Sequence, residues 1–286
     1  MAIDYSSADQ VLELSFGKLD KPSARMDFPK PGTLSKEFSA LIRDSTATPI
    51  LSHRHSPMLA SAGVEMWHRA VHSLLWSVAL TESSPLWASV SGYYASHFVM
   101  RAFAHSMGIF KSFTKKATVQ ILVQNGQFVC TRLSDSGGEH AFYWKAVKGH
   151  PKLSSNPLFR ENHERENNKQ EDKSDAIHRN FANYADHLNS FQALKFSTTQ
   201  EVSERVEKIS RIRLHSVTAP TPQRGNFPDI YNVQILAFQR IVAFHDFLED
   251  RVPKNRFWRA HRRPNWCKDI ISFQVEDQGL EQPLIS

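Results

Sequence analysis

The chain has 286 residues, of which 41% are hydrophobic and 22% charged, and its formal net charge is +6 at pH 7. This composition is that of a folded protein and excludes an intrinsically disordered chain. The positive balance favours a polyanionic partner, either a nucleic acid or an anionic membrane surface. The two isolated cysteines, the lack of a signal-peptide pattern and the lack of an apolar run of about 18 residues lead us to expect a cytoplasmic protein without a membrane span.

The first half of the chain is predicted to be an arm followed by helices. Residues 1–55 are interrupted repeatedly by proline, and only one short helix, over 34–43, fits their pattern. Helical spacing then runs from 60 to 80 and, after Pro85, through a second stretch that ends near Gly108. The second stretch is apolar or small almost all round, which is typical of a helix in the middle of a bundle.

After this helix the period of the pattern changes to that of a sheet. Alternating residues on both sides of Asn125-Gly126 predict a β-hairpin over 117–133. The segment EHAFYWKAV, 139–147, is predicted to add a third strand, so that a small antiparallel sheet is inserted at about 116–148. The polar stretch 158–175 is predicted to be a solvated loop.

Helical spacing resumes in the second half of the chain, at 176–194, at 198–217 and in a last long helix at 230–248. The predicted fold is therefore mainly α, an up-and-down bundle of about five helices over 56–250 with a β insert. A basic, aromatic tail, 251–286, follows, and seven Lys or Arg residues lie within its first part.

Two polar residues of the last helix flank its apolar stripe. At 100° per residue, Arg240 and His245 lie roughly 70° on either side of the centre of that stripe. From these positions they can line a cleft with a neighbouring helix or subunit. Alternatively, Arg240 extends its aliphatic stem along the core and His245 forms a hydrogen bond at its edge.

Four further polar residues fall on packed helix faces. Arg213 takes an apolar position of its helix and requires a carboxylate, a phosphate or several carbonyl groups. His97, Arg101 and His105 follow each other four residues apart along a helix that has no polar face. Either a phosphate-bearing ligand or carboxylates from another helix would satisfy this row.

The sequence gives a weaker indication of a metal site than of a phosphate site. Glu65, His68 and His72 share one helical face, and the Glu-x-x-His spacing occurs in carboxylate-bridged di-metal bundles. A di-metal site needs a second such motif and further carboxylates, which the sequence does not offer. We therefore predict no metal, and because nucleotide-binding and hydrolase motifs are missing, no cofactor either.

The segment SGYYASHFVMRAFAHSMGI, residues 91–109, resembles the tyrosine-rich, small-residue helix of HEPN-superfamily proteins. Arg240 to His245 fits the Arg-x4-His form of that superfamily's signature. The resemblance implies a HEPN-like helical bundle, often a homodimer, whose active site lies at the dimer seam. Many such proteins are metal-independent endoribonucleases of toxin–antitoxin, antiviral-defence and CRISPR systems.

This resemblance implies a mechanism and partners. His245 would take the proton from a ribose 2′-OH, and Arg240, with Arg213, would hold the attacked phosphate, leaving a 2′,3′-cyclic phosphate. RNA is the expected partner, together with an antitoxin or a protein of a defence complex. The further residues expected to contact phosphate or RNA are His97, Arg101, His105, Arg259, Arg262 and Arg263.

Two other functions stay open. The chain is either a HEPN-like module that binds nucleic acid or a partner without cutting, or an unrelated helical protein. A row of His97, Arg101 and His105 that faces the cleft of Arg240 and His245 would favour the nuclease. The same row satisfied by buried carboxylates would favour the binding module.

Overall fold

The computed structural model describes the chain in eight segments, which are residues 3–21, 28, 36, 55–112, 117–133, 138–160, 197–211 and 230–273. The described residues are mostly helical. In chain order, the elements are α1 Ala8–Leu19, α2 Ser56–Ala79, α3 Pro85–Ser106, β1 Ile109–Ser112, β2 Ala117–Gln124, β3 Gln127–Leu133, α4 Glu139–Lys148, α5 Pro151–Ser154, α6 Pro157–Arg160, α7 Thr199–Ser210, α8 Ile230–Arg251 and α9 Arg256–His261.

The chain divides into two units. The first unit comprises Met1–Trp67, Met100–Ser154 and Phe247–Arg263, and the second comprises His68–Val99, Ser155–Asp246 and Pro264–Ser286. The predicted mainly helical class with a small antiparallel sheet is confirmed. The up-and-down, HEPN-like arrangement of the helices stays a prediction. Within the segments described above, no helix combines the length and the apolar character needed to cross a membrane.

The three-stranded antiparallel sheet belongs to the first unit, and its strand order is β1-β2-β3. The predicted hairpin is confirmed: Gln124 pairs with Gln127, and Asn125 and Gly126 form the turn with φ angles of 51° and 73°. Positive φ at both turn positions is the conformation that matches the twist of a two-residue hairpin and favours Asn-Gly.

The prediction of a strand over 139–147 is wrong, because this segment forms helix α4. The strand that completes the sheet is β1, which directly follows α3 and pairs with β2. Aromatic residues in the segment resemble those of a strand. Its exposed residues Ala141 and Lys145, however, are four apart, with Phe142 and Tyr143 buried between them, which is helical spacing.

Helix α1 was not predicted, since residues 1–55 were expected to form an arm. Its residues Val11, Leu12 and Phe16 are fully buried, and Val11 belongs to an apolar cluster in the first unit with Phe110 and Val119. The prolines further along the arm obscured this short amphipathic pattern. Apart from residue 36, the helices expected at 34–43 and 176–194 lie outside the described residues, as does most of the loop expected at 158–175.

Small residues allow helices to approach closely in both units. In the first unit, a Cβ atom at Gly63 of α2 would overlap the hydroxyl of Ser106 in α3. In the second unit, a Cβ atom at Gly92 would lie 2.8 Å from a methyl group of Val233. Gly63 and Gly92 thus stand where atoms of a neighbouring helix leave no room for a side chain.

Candidate functional site

Arg240 of α8 is buried in the second unit, with only 1% of the residue exposed. Its Nε donates a hydrogen bond to the carbonyl oxygen of Leu158 at 3.0 Å, and its Nη1 donates to the hydroxyl of Ser96 at 2.9 Å. Both acceptors belong to the protein interior and are neutral. The guanidinium therefore lies deeper than the cleft edge that the helical wheel suggests, and it holds α3, α6 and α8 together.

His245 lies on the same helix in a different environment. Its side chain is 14% exposed, and its Nδ1 is 3.4 Å from the Oδ1 of Asp246. The imidazole stacks on Phe273, with ring centroids 5.4 Å apart and planes inclined by 15°. Because Arg240 and His245 are five positions apart in an α-helix, their side chains leave the axis about 140° apart. The structure thus places one group in the interior and the other at the surface.

Each member of the row on α3 has different neighbours, beginning with His97 in the second unit. His97 is buried and stacks parallel to Tyr93, with ring centroids 6.3 Å apart, while Tyr94 meets it edge-on at 6.2 Å. Tyr93 and His97 are four residues apart, so the helix itself brings the rings together. A buried histidine between two tyrosine rings favours a structural role for His97 over a phosphate contact.

Arg101 lies in the first unit and pairs with a carboxylate from α4. Its Nη1 is 3.0 Å from the Oε1 of Glu139, and its Cζ lies 5.4 Å from the ring centroid of Tyr143. Burial raises the pKa of Glu139, whereas the charges of Arg101 and Lys111 lower it. A half-buried carboxylate therefore pairs with this member of the row.

His105 and Tyr143 form a buried polar pair beside that ion pair. The Nε2 of His105 is 3.4 Å from the Oη of Tyr143, which accepts a hydrogen bond from the Lys111 amide at 3.0 Å. Burial, and then the charge of Arg101, hold the pKa of His105 well below its ordinary value of 6.5. Burial also raises the pKa of Tyr143 to about 12. At neutral pH the imidazole is uncharged and the phenol keeps its proton.

The tail cations divide into paired and exposed groups. Arg262 is 3.1 Å from the carboxylate of Glu249, whereas Arg259 and Arg263 are exposed. Trp258 is fully buried and donates from its Nε1 to Glu249 at 2.9 Å. Arg213, which was expected beside the phosphate, lies outside the described residues.

The metal hypothesis for Glu65, His68 and His72 gains no support from the geometry. Across the described segments, no group of three or more His, Cys, Asp or Glu side chains is arranged to hold a metal ion. The Nε2 of His72 instead accepts a hydrogen bond from the indole of Trp76 at 3.1 Å.

Several residues that contact these side chains were not identified from the sequence. Ser96 and Leu158 accept from Arg240 but carry no local signal, because they are 144 and 82 positions away from it. Glu139 and Tyr143 were assigned to a strand. A signal for Glu139 existed, since an acidic residue directly after Gly138 is typical of a helix start.

No family model matches this chain, and no curated protein or solved structure shows detectable similarity to it. The HEPN-like resemblance therefore stays a prediction that rests on the residues quoted for it. Function has to be inferred from the chemistry and accessibility of the side chains themselves.

Proposed function

We propose that this chain is an RNA-binding protein, a HEPN-like module that holds RNA through exposed cations near its C-terminus and does not cut it. The observation that carries the proposal is the cationic segment, defined as the exposed side chains of Lys254, Arg256, Arg259 and Arg263. Between residues 251 and 268 the chain has seven Lys or Arg residues and no Asp or Glu. Such a density of positive charge on the surface attracts a phosphate backbone.

The cationic segment is held by well-packed neighbours of the first unit. Asn255 caps α9 by accepting from the Trp258 amide at 3.1 Å, and its Nδ2 donates to the Phe16 carbonyl at 2.8 Å. The buried ring of Trp258 meets that of Trp67 with centroids 5.5 Å apart. Since α9 is anchored at its cap and on its buried face, its arginines are presented from a rigid element, which lowers the entropy lost on binding.

Arginine suits this function because its planar guanidinium can donate two parallel hydrogen bonds to one phosphate. Arg251 and Arg262 are engaged by carboxylates, since Arg251 lies 3.4 Å from Asp9 and Arg262 lies 3.1 Å from Glu249. The exposed arginines are therefore the groups that support phosphate binding. RNA rather than DNA is proposed because the HEPN-like resemblance implies an RNA partner, and an antitoxin or defence setting follows from the same resemblance.

The buried state of Arg240 supports binding rather than cleavage. In the cleavage mechanism this side chain would contact a phosphate, yet two of its donors are directed at Leu158 and Ser96 in the interior. A group that stabilises a transition state has to reach the reacting atoms. The described contacts of Arg240 are those of a structural cation.

The test is fluorescence anisotropy of the purified full chain with a labelled RNA and with a DNA of the same sequence, over a range of salt concentrations. We expect that Arg259→Glu and Arg263→Glu each weaken RNA binding and reduce the slope of log K against log salt by about 1. Lys145→Glu is the matched control, because it makes the same charge change at an exposed position of α4. Equal affinity for RNA and DNA would reject the RNA preference, and no binding to either would reject the proposal.

Metal-independent cleavage of RNA is the second candidate, and the geometry of His245 favours it. The Nδ1 of this partly exposed imidazole lies 3.4 Å from Asp246, and a carboxylate beside one ring nitrogen orients many catalytic histidines. The imidazole would accept the proton of a 2′-OH that attacks the adjacent phosphate, and the imidazolium would then give a proton to the departing 5′-oxygen. Incubation of total RNA in EDTA with the wild type and with His245→Ala separates the candidates. Cutting by the wild type alone, with 2′,3′-cyclic ends, would establish the enzyme, whereas intact RNA with both proteins supports the binding module.

A further inference from the structure

One face of α2 in the second unit carries exposed aromatic rings. His68, His72 and Trp76 lie at intervals of four residues, and Trp266 from the C-terminal segment reaches them. The ring centroid of Trp266 is 5.6 Å from that of His72 and 6.4 Å from that of His68. The centroid of Trp76 is 6.1 Å from that of His72. We call His72, Trp76 and Trp266 the indole platform.

The rings of the indole platform are held in place. The Nε1 of Trp76 donates to the Nε2 of His72 at 3.1 Å, which fixes the orientation of the first indole one turn along α2. Trp266 precedes the buried Cys267, whose amide donates to the Pro264 carbonyl at 3.0 Å and whose carbonyl accepts from the Ile270 amide at 2.9 Å. A hydrogen-bonded turn therefore holds the backbone that carries the second indole.

The two indoles remain largely in water. Trp76 is 49% exposed and Trp266 is 48% exposed, and the ring planes of the platform meet at 73° and 78°. At these angles the rings do not cover one another's faces by parallel stacking. Two half-exposed indoles that both contact His72 leave apolar surface in water, and a binding partner would cover that surface.

The surroundings of the indole platform favour a nucleic acid. The exposed cation Arg69 lies three residues before His72 on α2, and the exposed Lys268 lies two residues after Trp266 and is followed by the exposed acid Asp269. Aromatic faces interleaved with cations bind unpaired bases by stacking, while the cations contact the phosphates between them. Paired bases in a duplex do not offer their faces in this way.

We infer that the indole platform is a stacking site for the unpaired bases of single-stranded RNA. This inference rests on the proposed RNA binding and deepens it, because it adds a site for bases to a function proposed so far from phosphate contacts alone. Single-stranded RNA then binds more tightly than duplex RNA, and the difference comes from Trp76 and Trp266.

The experiment compares a single-stranded RNA of about 12 nucleotides with a duplex of the same length, since stacking proteins cover about 4–16 nucleotides per site. Binding of each to the full chain is measured for Trp76→Ala, Trp266→Ala and Trp76→Tyr. Trp87→Ala is the matched control, because Trp87 is a 53% exposed indole outside the platform. Circular dichroism and the urea midpoint check that each variant keeps the wild-type fold.

We expect Trp76→Ala and Trp266→Ala to weaken single-stranded RNA binding by about 5-fold or more each, the loss typical of one stacked base. Trp76→Tyr, which keeps a ring, retains most of the affinity, while duplex binding and Trp87→Ala change less than about 2-fold. If both alanine variants bind single-stranded RNA like the wild type, the platform serves another ligand such as a protein, and the inference is overturned while the proposed function stands. If the wild type binds neither RNA, the proposed function fails instead.

Discussion

The two units hold a buried or half-buried arginine in different ways. In the second unit, Arg240 is enclosed and donates to a hydroxyl and a carbonyl group, those of Ser96 and Leu158. In the first unit, Arg101 keeps contact with solvent and pairs with the carboxylate of Glu139. The two contacts of Arg240 are with neutral oxygen atoms, whereas the contact of Arg101 is with a charged group.

This difference separates structural from recognition roles among the cations of the chain. A guanidinium whose donors are taken up inside the protein has no way to exchange them for phosphate oxygens without opening the fold. The exposed arginines of the cationic segment, such as Arg259 and Arg263, are not constrained in this way. We therefore expect substitutions of Arg240 and Arg101 to affect stability, and substitutions of the cationic segment to affect binding.

The largest expected effect is that of Arg240→Ala. Removing a fully buried large side chain leaves a cavity and two buried acceptors, so we expect the free energy of unfolding to fall by about 3–5 kcal/mol. Urea denaturation measures the change, and Arg259→Ala, at an exposed position, should stay within about 0.5 kcal/mol of the wild type. A stable Arg240→Ala protein with weakened RNA binding would contradict the structural role and return Arg240 to the binding site.

A second test uses the pH dependence of the polar cluster in the first unit. The folded state keeps the pKa of His105 well below 6.5, so below this pH the unfolded chain takes up a proton that the folded chain does not. Stability is thus fully present above pH 6.5 and falls as the pH decreases, by up to about 1.4 kcal/mol per pH unit for this one proton. The pKa of His150 is lowered as well, and it acts in the same direction.

His105→Gln removes the group that takes up this proton. The substitution should therefore reduce the dependence of the unfolding free energy on pH between about pH 6.5 and 5. Ser106→Ala, a neighbouring buried change without a titrating group, should keep the wild-type slope. Unfolding in urea at a series of pH values gives both slopes. An unchanged slope in His105→Gln would show that the imidazole binds its proton equally well in the folded and unfolded chains, and would contradict the lowered pKa.

The sequence predicted the elements that depend on local pattern. Asn125-Gly126 specified the hairpin through the positive φ angles that these residues adopt, and the spacing of apolar residues indicated α8. A helical wheel of α8 places Arg240 beside the apolar stripe, but it cannot show how deeply the side chain is buried. That depth depends on acceptors 82 and 144 positions away, which only the tertiary structure brings to the guanidinium.

The candidate site was less predictable than the fold for a related reason. His97, Arg101 and His105 form one row by spacing, yet each has different neighbours in the structure. A helical wheel gives the direction of a side chain, but the chemistry of the group that it meets comes from another element. Glu139 was not predicted as the partner of Arg101, because the aromatic residues of its segment suggested a strand instead of a helix.

The smallest expected effect is the salt dependence of the ion pair between Arg101 and Glu139. Burial raises the pKa of Glu139 against the effect of Arg101, so the cost of desolvation offsets much of their attraction. A double-mutant cycle of Arg101→Gln and Glu139→Gln should give a coupling energy of about 1 kcal/mol at low salt, reduced by about half at 0.5 M NaCl. The Arg240→Ala and Ser96→Ala cycle should keep its coupling, because that hydrogen bond is buried and its acceptor is neutral. Equal salt sensitivity in both cycles would mean that ions reach Arg240, and would remove the distinction between the two arginines.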